Sequence, residues 1–139
     1  MPIFFNRTER GNPGNPEAPK RWYPVLKSTG LVKEREVARL LADETTLNAK
    51  EAEMAVSQLL KVTVSLLLGG ATVQLGSLGS FRLTASTEPS DTETEVTAAK
   101  IKKVNVRFTE SADLKAALKK ASFRDAETMT KKQLTIDNG

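Results

Sequence analysis

The sequence contains neither cysteine nor histidine among its 139 residues. Without cysteine, the chain cannot form a disulfide framework, a zinc ribbon or a thiol nucleophile. Without histidine, it lacks the commonest general base and the commonest metal ligand. The sequence also has no phosphate-binding loop and no paired carboxylates in an apolar context. We therefore expect a protein that is not an enzyme and that holds no cofactor and no metal.

Long apolar runs are missing as well. The longest, LLLGGA at 66–71, is far shorter than the roughly 20 residues that a membrane-spanning helix needs. The N-terminal MPIFFNRTER reaches Arg7 and Arg10 before any run of signal-peptide length. These features predict a cytoplasmic protein without a membrane partner or a small-molecule substrate. The net charge of +4 suits a polyanionic partner but does not identify one.

The first 30 residues consist of two extended segments and a linker rich in turn residues. IFFNRTER and RWYPVLKST flank GNPGNPEAP, which is too long for a tight hairpin. The two segments either pair with each other or lie along the edge of another sheet. We define 1–30 as an N-terminal extended basic arm. Its Trp22 and Tyr23 either anchor the arm by packing or face a ligand such as DNA.

Two helices are predicted after the arm, over 31–45 and 49–70. Asn48 is the predicted N-cap of the second helix, and Gly69 begins its C-terminal glycine pair. From Val56 onward this helix is apolar on more than one face. A chain of this size cannot cover such a helix alone, so the pattern predicts an obligate homodimer.

Antiparallel strands are predicted over 71–86 and 98–109, because apolar and polar residues alternate there. The segment between them, 84–98, is polar and contains no basic residue, which is typical of a protruding β-ribbon or a mobile loop. A short helix should follow at 109–121, with Thr109 as its N-cap. The tail, 124–139, is predicted to be flexible or a loosely docked strand.

Gly76 and Gly79 interrupt the first strand in LGSLGSF, at 75–81. Glycine permits positive φ and close backbone approach, so these residues mark either a bulge in an ordinary α+β domain or the bend of a curved sheet. LGSLGSF, the ribbon and VRFTESADLKAAL together resemble the HU/IHF family of bacterial histone-like DNA-binding proteins over roughly 31–121. RGNPGNPEAPKRWYPVLKSTG at 10–30 resembles the N-terminal segment of a divergent, HU-related histone-like branch.

The resemblance implies an α+β, HU/IHF-like fold. A helical dimer base would support an antiparallel three-stranded saddle sheet with a short β-ribbon arm, next to an extended N-terminal strand pair. The HU-like domain would cover 31–123, between the arm at 1–30 and the tail at 124–139. The dimer core would comprise Val56, Leu59, Leu60, Leu66, Leu67, Phe81 and Phe108.

Members of that family bind the minor groove through two β-arms, and a proline near each arm tip wedges between base pairs. This chain departs from the pattern, because the Arg-Asn-Pro tip is missing and Pro89 follows Phe81 too soon to act as the wedge. The ribbon is also acidic where phosphates would approach. Its carboxylates are Glu88, Asp91, Glu93 and Glu95.

We therefore predict a homodimeric, sequence-tolerant, histone-like protein that binds double-stranded DNA in the nucleoid. The strand lysines fit this role as the floor of the saddle, although a merely solvated face has the same pattern. The alternative is an HU-fold dimer that serves as a structural or protein-interaction module through its acidic ribbon, with weak or no DNA binding. The predicted DNA-binding residues are Arg82, Lys100, Lys102, Lys103, Arg107, Lys115, Lys119, Lys120, Arg7, Arg10, Lys20, Arg21 and Lys27.

Overall fold

A computed structural model of the chain describes residues 1–128, without the side chain of Thr128. The described residues form two compact units, one made of 1–33 with 120–128 and the other of 34–119. Of the tail predicted over 124–139, residues 129–139 lie outside the described residues. The order of elements is β1 (Ile3–Arg10), β2 (Arg21–Lys27), α1 (Glu34–Asp43), α2 (Ala49–Leu68), β3 (Val73–Gln74), β4 (Gly79–Thr87), β5 (Ile101–Glu110), α3 (Ala112–Leu118) and β6 (Phe123–Asp125).

Small sheets and helices therefore occur together, which confirms the predicted α+β class. Short 3₁₀ turns lie at Glu93–Glu95, Ala98–Lys100 and Ala126–Thr128. Within residues 1–128, no helix combines the length and the apolar character needed to cross a bilayer.

The first unit is a three-stranded sheet in the order β2-β1-β6. Strands β1 and β2 pair with each other in antiparallel register, from Phe4 opposite Lys27 to Arg10 opposite Arg21. Strand β6 lies parallel to β1. Phe4 is buried and forms the apolar centre of this unit.

The linker between β1 and β2 folds as two successive asparagine turns. The Asn12 Oδ1 atom accepts from the Gly14 N–H at 2.9 Å, and the Asn15 N–H donates to the Asn12 carbonyl at 3.1 Å. Asn15 repeats the arrangement, because its side chain and its carbonyl accept from Glu17 and Ala18. Asparagine side chains readily mimic a backbone turn in this way, so the long linker still closes a hairpin.

Helices α1 and α2 pack together in the second unit. Ala38 and Ala52 are fully buried, one on each helix, and their small side chains permit close helix approach. The Arg35 Nε atom donates to the Glu53 carboxylate at 3.1 Å and links the two helices at the surface. The predicted first helix, 31–45, is shorter in the structure and spans Glu34–Asp43.

Both ends of α2 follow the sequence prediction. The Asn48 Oδ1 atom accepts from the Glu51 N–H at 2.9 Å, which satisfies one of the free amides of the first turn. The helix ends before Gly69 and Gly70, and Gly70 has a φ of +87°. Positive φ at this position is typical of a glycine-terminated helix.

The second sheet has the order β3-β4-β5 and is antiparallel throughout. At the start of β4, Gly79 has a φ of +150°, and a Cβ atom there would lie 2.3 Å from the Thr109 carbonyl oxygen. Only glycine fits such a close approach. Gly76 has a φ of +51° and lies inside the tight turn closed by the Leu78 N–H and the Leu75 carbonyl.

The N-cap predicted for the last helix was wrong. Strand β5 continues through Glu110, so Thr109 is still part of the sheet, and Ser111 takes the capping position. The Ser111 Oγ atom accepts from the Leu114 N–H at 3.0 Å and donates to the Ser77 carbonyl. This serine therefore fixes the start of α3 to the glycine turn.

Candidate nucleic-acid interface

Strands β4 and β5 present one apolar and one polar face. Phe81 pairs with Phe108, and their ring centroids lie 4.9 Å apart. Residues directly opposite each other in an antiparallel pair project to the same side of the sheet. The apolar face therefore also carries the pairs Leu83–Val106 and Ala85–Val104.

The opposite side of the same strands is what we call the polar sheet face. Its residues are the three opposed pairs Arg82–Arg107, Thr84–Asn105 and Ser86–Lys103. The structure thus brings together three of the predicted DNA-binding residues, Arg82, Lys103 and Arg107, on one surface. All three are exposed.

Arg82 and Arg107 are directly opposite each other, an arrangement of like charges that weakens a sheet. Among the described residues, neither has an ion-pair partner. Exposed arginines offer several charge-assisted hydrogen-bond donors in a planar fork, which suits them to phosphate oxygens.

Arg39, also in the second unit, differs from Arg82 and Arg107 because it has acidic partners. Its guanidinium donates to the Glu36 carboxylate at 2.6 Å and to Asp43 at 3.1 Å. The hydrogen bond and the charge of Glu36 raise the pKa of Arg39, and the hydrogen bond from Arg39 lowers the pKa of Glu36. Arg39 is thus already neutralised within the protein, whereas Arg82 and Arg107 are not.

Lys102 lies at an irregularity in the sheet. Ser86 pairs with Lys103 and Thr87 with Ile101, so Lys102 is the extra residue of a bulge. Its Nζ atom lies 3.5 Å from the Glu88 carboxylate. Lys102 is therefore partly neutralised by the carboxylate of Glu88 in the same chain.

The segment between β4 and β5 forms a short tip over 88–100. The Glu88 N–H donates to the Lys100 carbonyl. Lys100 is half-buried, and Pro89 lies two residues after the end of β4. Asp91, Glu93 and Glu95 are exposed. Within residues 1–128, no group of carboxylates is arranged to hold a metal ion.

The remaining predicted DNA-binding residues lie apart from the polar sheet face in sequence and are exposed. Arg7 is bound to Asp125 of the same unit at 2.8 Å. Arg10 and Arg21 are directly opposite each other at the end of the β1–β2 hairpin. Lys115 lies on α3. The others are Lys119, Lys120, Lys20 and Lys27.

The predicted dimer-core residues differ in how well a single chain covers them. Leu67 is buried within its own chain, whereas Val56 and Phe81 are half-buried. The other four, Leu59, Leu60, Leu66 and Phe108, each expose close to half of their surface. The apolar sheet face is similarly open, with Val104 and Val106 at 56% and 58% exposure.

Sequence reasoning identified the basic residues but missed how they pair. Alternation along β5 already places Lys103, Asn105 and Arg107 on one side. The opposition of Arg82 to Arg107 depends on the register between two strands separated by a long polar segment. No local sequence pattern determines that register. The close approach of Gly79 to the Thr109 carbonyl restricts which residues of β4 and β5 can be opposite each other.

The chain resembles known proteins both in its sequence pattern and in its fold. A family model described as HU-HIG, "HU domain fused to wHTH, Ig, or Glycine-rich motif", matches residues 1–125. The fold is similar to the crystal structure of a proposed bacterial DNA-binding protein from Bacteroides vulgatus ATCC 8482, with a TM-score of 0.62 and 13% identity. That similarity covers 89% of this chain and 48% of the Bacteroides protein, so this chain spans about half the length of that protein. No curated protein sequence matches.

Proposed function

Because the chain belongs to the HU-HIG family of HU domains, we propose that it binds double-stranded DNA through the polar sheet face. The observation that carries this proposal is the opposed pair Arg82–Arg107, two exposed guanidinium groups without an internal acid. The family match and the fold shared with a proposed bacterial DNA-binding protein support it.

The groups on this face suit the DNA backbone. Arginine binds phosphate in a bidentate manner, and lysine, threonine, serine and asparagine side chains also donate to phosphate oxygens. Backbone contacts fix a protein on the duplex without reading its sequence. We therefore propose that binding tolerates most sequences, as expected of a histone-like protein of the cytoplasmic nucleoid.

We also propose that the protein binds DNA as a homodimer. Leu59 and Leu60 on α2 and the apolar sheet face leave a large apolar surface open in one chain. Large apolar side chains left exposed in this number are typical of a protein whose apolar surface is covered by a partner. A second copy would cover it and would double the number of arginine pairs available to the duplex.

The other predicted basic residues take a supporting role in this proposal. Lys100, Lys115, Lys119 and Lys120, together with the basic residues of the N-terminal arm, add positive charge that attracts the duplex over longer distances. Their contribution should be screened by salt and should not depend on the base sequence.

The proposal is tested with the double variant Arg82→Gln/Arg107→Gln, which removes both charges and keeps polar side chains. Its affinity should fall by at least about tenfold on duplexes of unrelated sequence, since charge-assisted hydrogen bonds to phosphate are lost. Arg39→Gln is the matched control, because Arg39 is held by Glu36 and Asp43. Equal duplex affinity for the double variant and the parent would refute the proposed contact surface.

A second candidate function is favoured by the acidic tip. Asp91, Glu93 and Glu95 are exposed and have no ion-pair partner among the described residues. In this alternative, the HU-fold dimer would be a structural or protein-interaction module that presents the tip to a basic partner. A gel-shift experiment at low salt separates the two functions, because the module would leave the duplex unshifted.

A further inference from the structure

A pocket of about 430 Å³ lies at the linker end of the β1–β2 hairpin. Arg10 and Arg21 form one part of its wall, and Tyr23, Asn12 and Pro19 form others. Its volume is within the range of about 300–1,000 Å³ that is typical of ligand sites. The pocket belongs to the first unit and involves none of the residues of the polar sheet face.

The two arginines of this pocket repeat the like-charge arrangement found on the polar sheet face. Arg10 and Arg21 are directly opposite each other in the antiparallel register, and both are exposed. Among the described residues, neither forms an ion pair. Such a pair costs stability unless an anion joins the two guanidinium groups.

Asn12 adds a directed hydrogen-bond donor. Its Oδ1 atom accepts from the Gly14 N–H at 2.9 Å, which fixes the orientation of the amide group. The Nδ2 group has no partner among the described residues and remains a donor. Tyr23, which is 44% exposed, contributes an aromatic ring and a hydroxyl group. Aromatic rings stack on nucleobases whatever the base.

We propose that this pocket binds the phosphate monoester of a nucleotide, which is either free in solution or the phosphorylated end of a DNA strand. A monoester carries close to two negative charges, which matches two guanidinium groups, whereas a backbone diester carries one. A pocket also admits a terminal group more readily than the continuous backbone of a duplex. The inference assigns Arg10 and Arg21 a ligand of their own and does not depend on the proposed function of the sheet.

The test is titration calorimetry on the full chain with thymidine 5′-monophosphate, and with thymidine as the ligand that lacks the phosphate. The parent should bind the nucleotide and not the nucleoside. Arg10→Gln/Arg21→Gln should weaken binding by at least about tenfold, because charge-assisted hydrogen bonds are lost. Arg10→Lys/Arg21→Lys should give a smaller loss, since the charges remain but the planar fork is absent.

Arg124→Gln is the matched control, because Arg124 is an exposed arginine on β6 of the same unit and does not line the pocket. A melting experiment provides a second readout. In phosphate-free buffer Arg21→Gln should melt at a higher temperature than the parent, because the repulsion between Arg10 and Arg21 is relieved. The nucleotide should raise the melting temperature of the parent but not that of Arg21→Gln. A merely structural arginine would lower the melting temperature instead.

The source of the phosphate is identified with short duplexes that carry either 5′-phosphate or 5′-hydroxyl ends. A preference for the phosphorylated duplex that disappears in Arg10→Gln/Arg21→Gln assigns the pocket to strand ends. Nucleotide binding without that preference assigns it to free nucleotides. Failure of the parent to bind the nucleotide, or equal binding by the parent and the double glutamine variant, overturns the proposal. Loss of duplex affinity in Arg82→Gln/Arg107→Gln tests the sheet separately.

Discussion

Two antiparallel strand pairs in this protein carry directly opposed arginines, but their surroundings differ. On β4 and β5, the exposed Arg82 and Arg107 lie on a strip that continues through the half-buried Asn105 to the exposed Lys103. On β1 and β2, Arg10 and Arg21 lie at the end of a hairpin and line a pocket. We therefore propose a different ligand for each pair, an extended DNA backbone for the first and a single terminal phosphate for the second.

The largest effect should come from changing the glycine that positions the first of these pairs. At Gly79, a Cβ atom would lie 2.3 Å from the Thr109 carbonyl oxygen, and φ is +150°. Gly79→Ala should therefore destabilise the second unit by about 3 kcal/mol or more, from strain and overpacking together. Denaturant unfolding, followed together with duplex affinity, measures both consequences.

Gly11→Ala is the matched control in the other hairpin. The nearest atom to a Cβ there is the Lys20 Cγ atom at 3.9 Å, which is ordinary contact. The free energy of unfolding of Gly11→Ala should therefore remain close to that of the parent. If Gly79→Ala were as harmless as Gly11→Ala, the close approach of Gly79 to the Thr109 carbonyl would not constrain the β4–β5 pair.

The aromatic pair beneath the polar sheet face should give the next largest effect. Phe81 packs on Phe108 and is half-buried in one chain. Phe81→Ala should destabilise the protein by about 3 kcal/mol, as expected for removal of a packed aromatic ring. Phe123→Ala, on the exposed edge of the other sheet, is the comparison and should cost much less. A melting temperature for Phe81→Ala within a degree or two of the parent would contradict this packing.

A smaller effect, of opposite sign, is expected from the acid that engages Lys102. Glu88→Gln removes the partner 3.5 Å from the Lys102 Nζ atom and should raise duplex affinity by roughly two- to fivefold, because one more cation becomes available to phosphate. Glu44→Gln makes the same change in net charge without freeing a lysine. Equal gains in the two variants would show that net charge alone is responsible.

The smallest effect concerns Arg39 and its carboxylate partner Glu36. The pKa of Glu36 is lowered in the folded protein by the hydrogen bond from Arg39. The stability due to this pair is therefore present above the ordinary pKa of glutamate and is lost as the pH falls through the lowered value. Glu36→Gln should flatten this slight acid dependence of the melting temperature, and an unchanged dependence would show that other carboxylates cause it.

The sequence predicted individual elements better than their pairing. Asn48 and Gly69 delimit α2 through local chemistry, and both predictions were confirmed, because a cap depends on neighbours within one turn. The capping residue of α3 was wrong, because the sheet extends β5 past Thr109 and leaves Ser111 to cap the helix. That extension arises from the pairing of Gly79 with Glu110, a contact between distant parts of the chain.

The candidate sites follow the same rule. Arg82 and Arg107, like Arg10 and Arg21, are recognisable as basic residues from sequence, but their opposition depends on strand register. Asn12 was predicted only as part of a turn-rich linker, whereas the structure shows that its turn leaves one amide donor available. The positive net charge suits an anionic partner, and the strand register shows which arginines are directly opposite each other.

DNA binding by the polar sheet face is tested most directly by the salt dependence of duplex affinity, measured for the parent and for Arg82→Gln/Arg107→Gln. Each lost phosphate contact should reduce the slope of log affinity against log salt by about 0.9, or by about 3.6 if all four arginines of a dimer contact phosphate. We predict a flatter slope for the double variant and a parental slope for Arg39→Gln. Identical slopes for all three proteins would contradict the assignment of the polar sheet face to DNA.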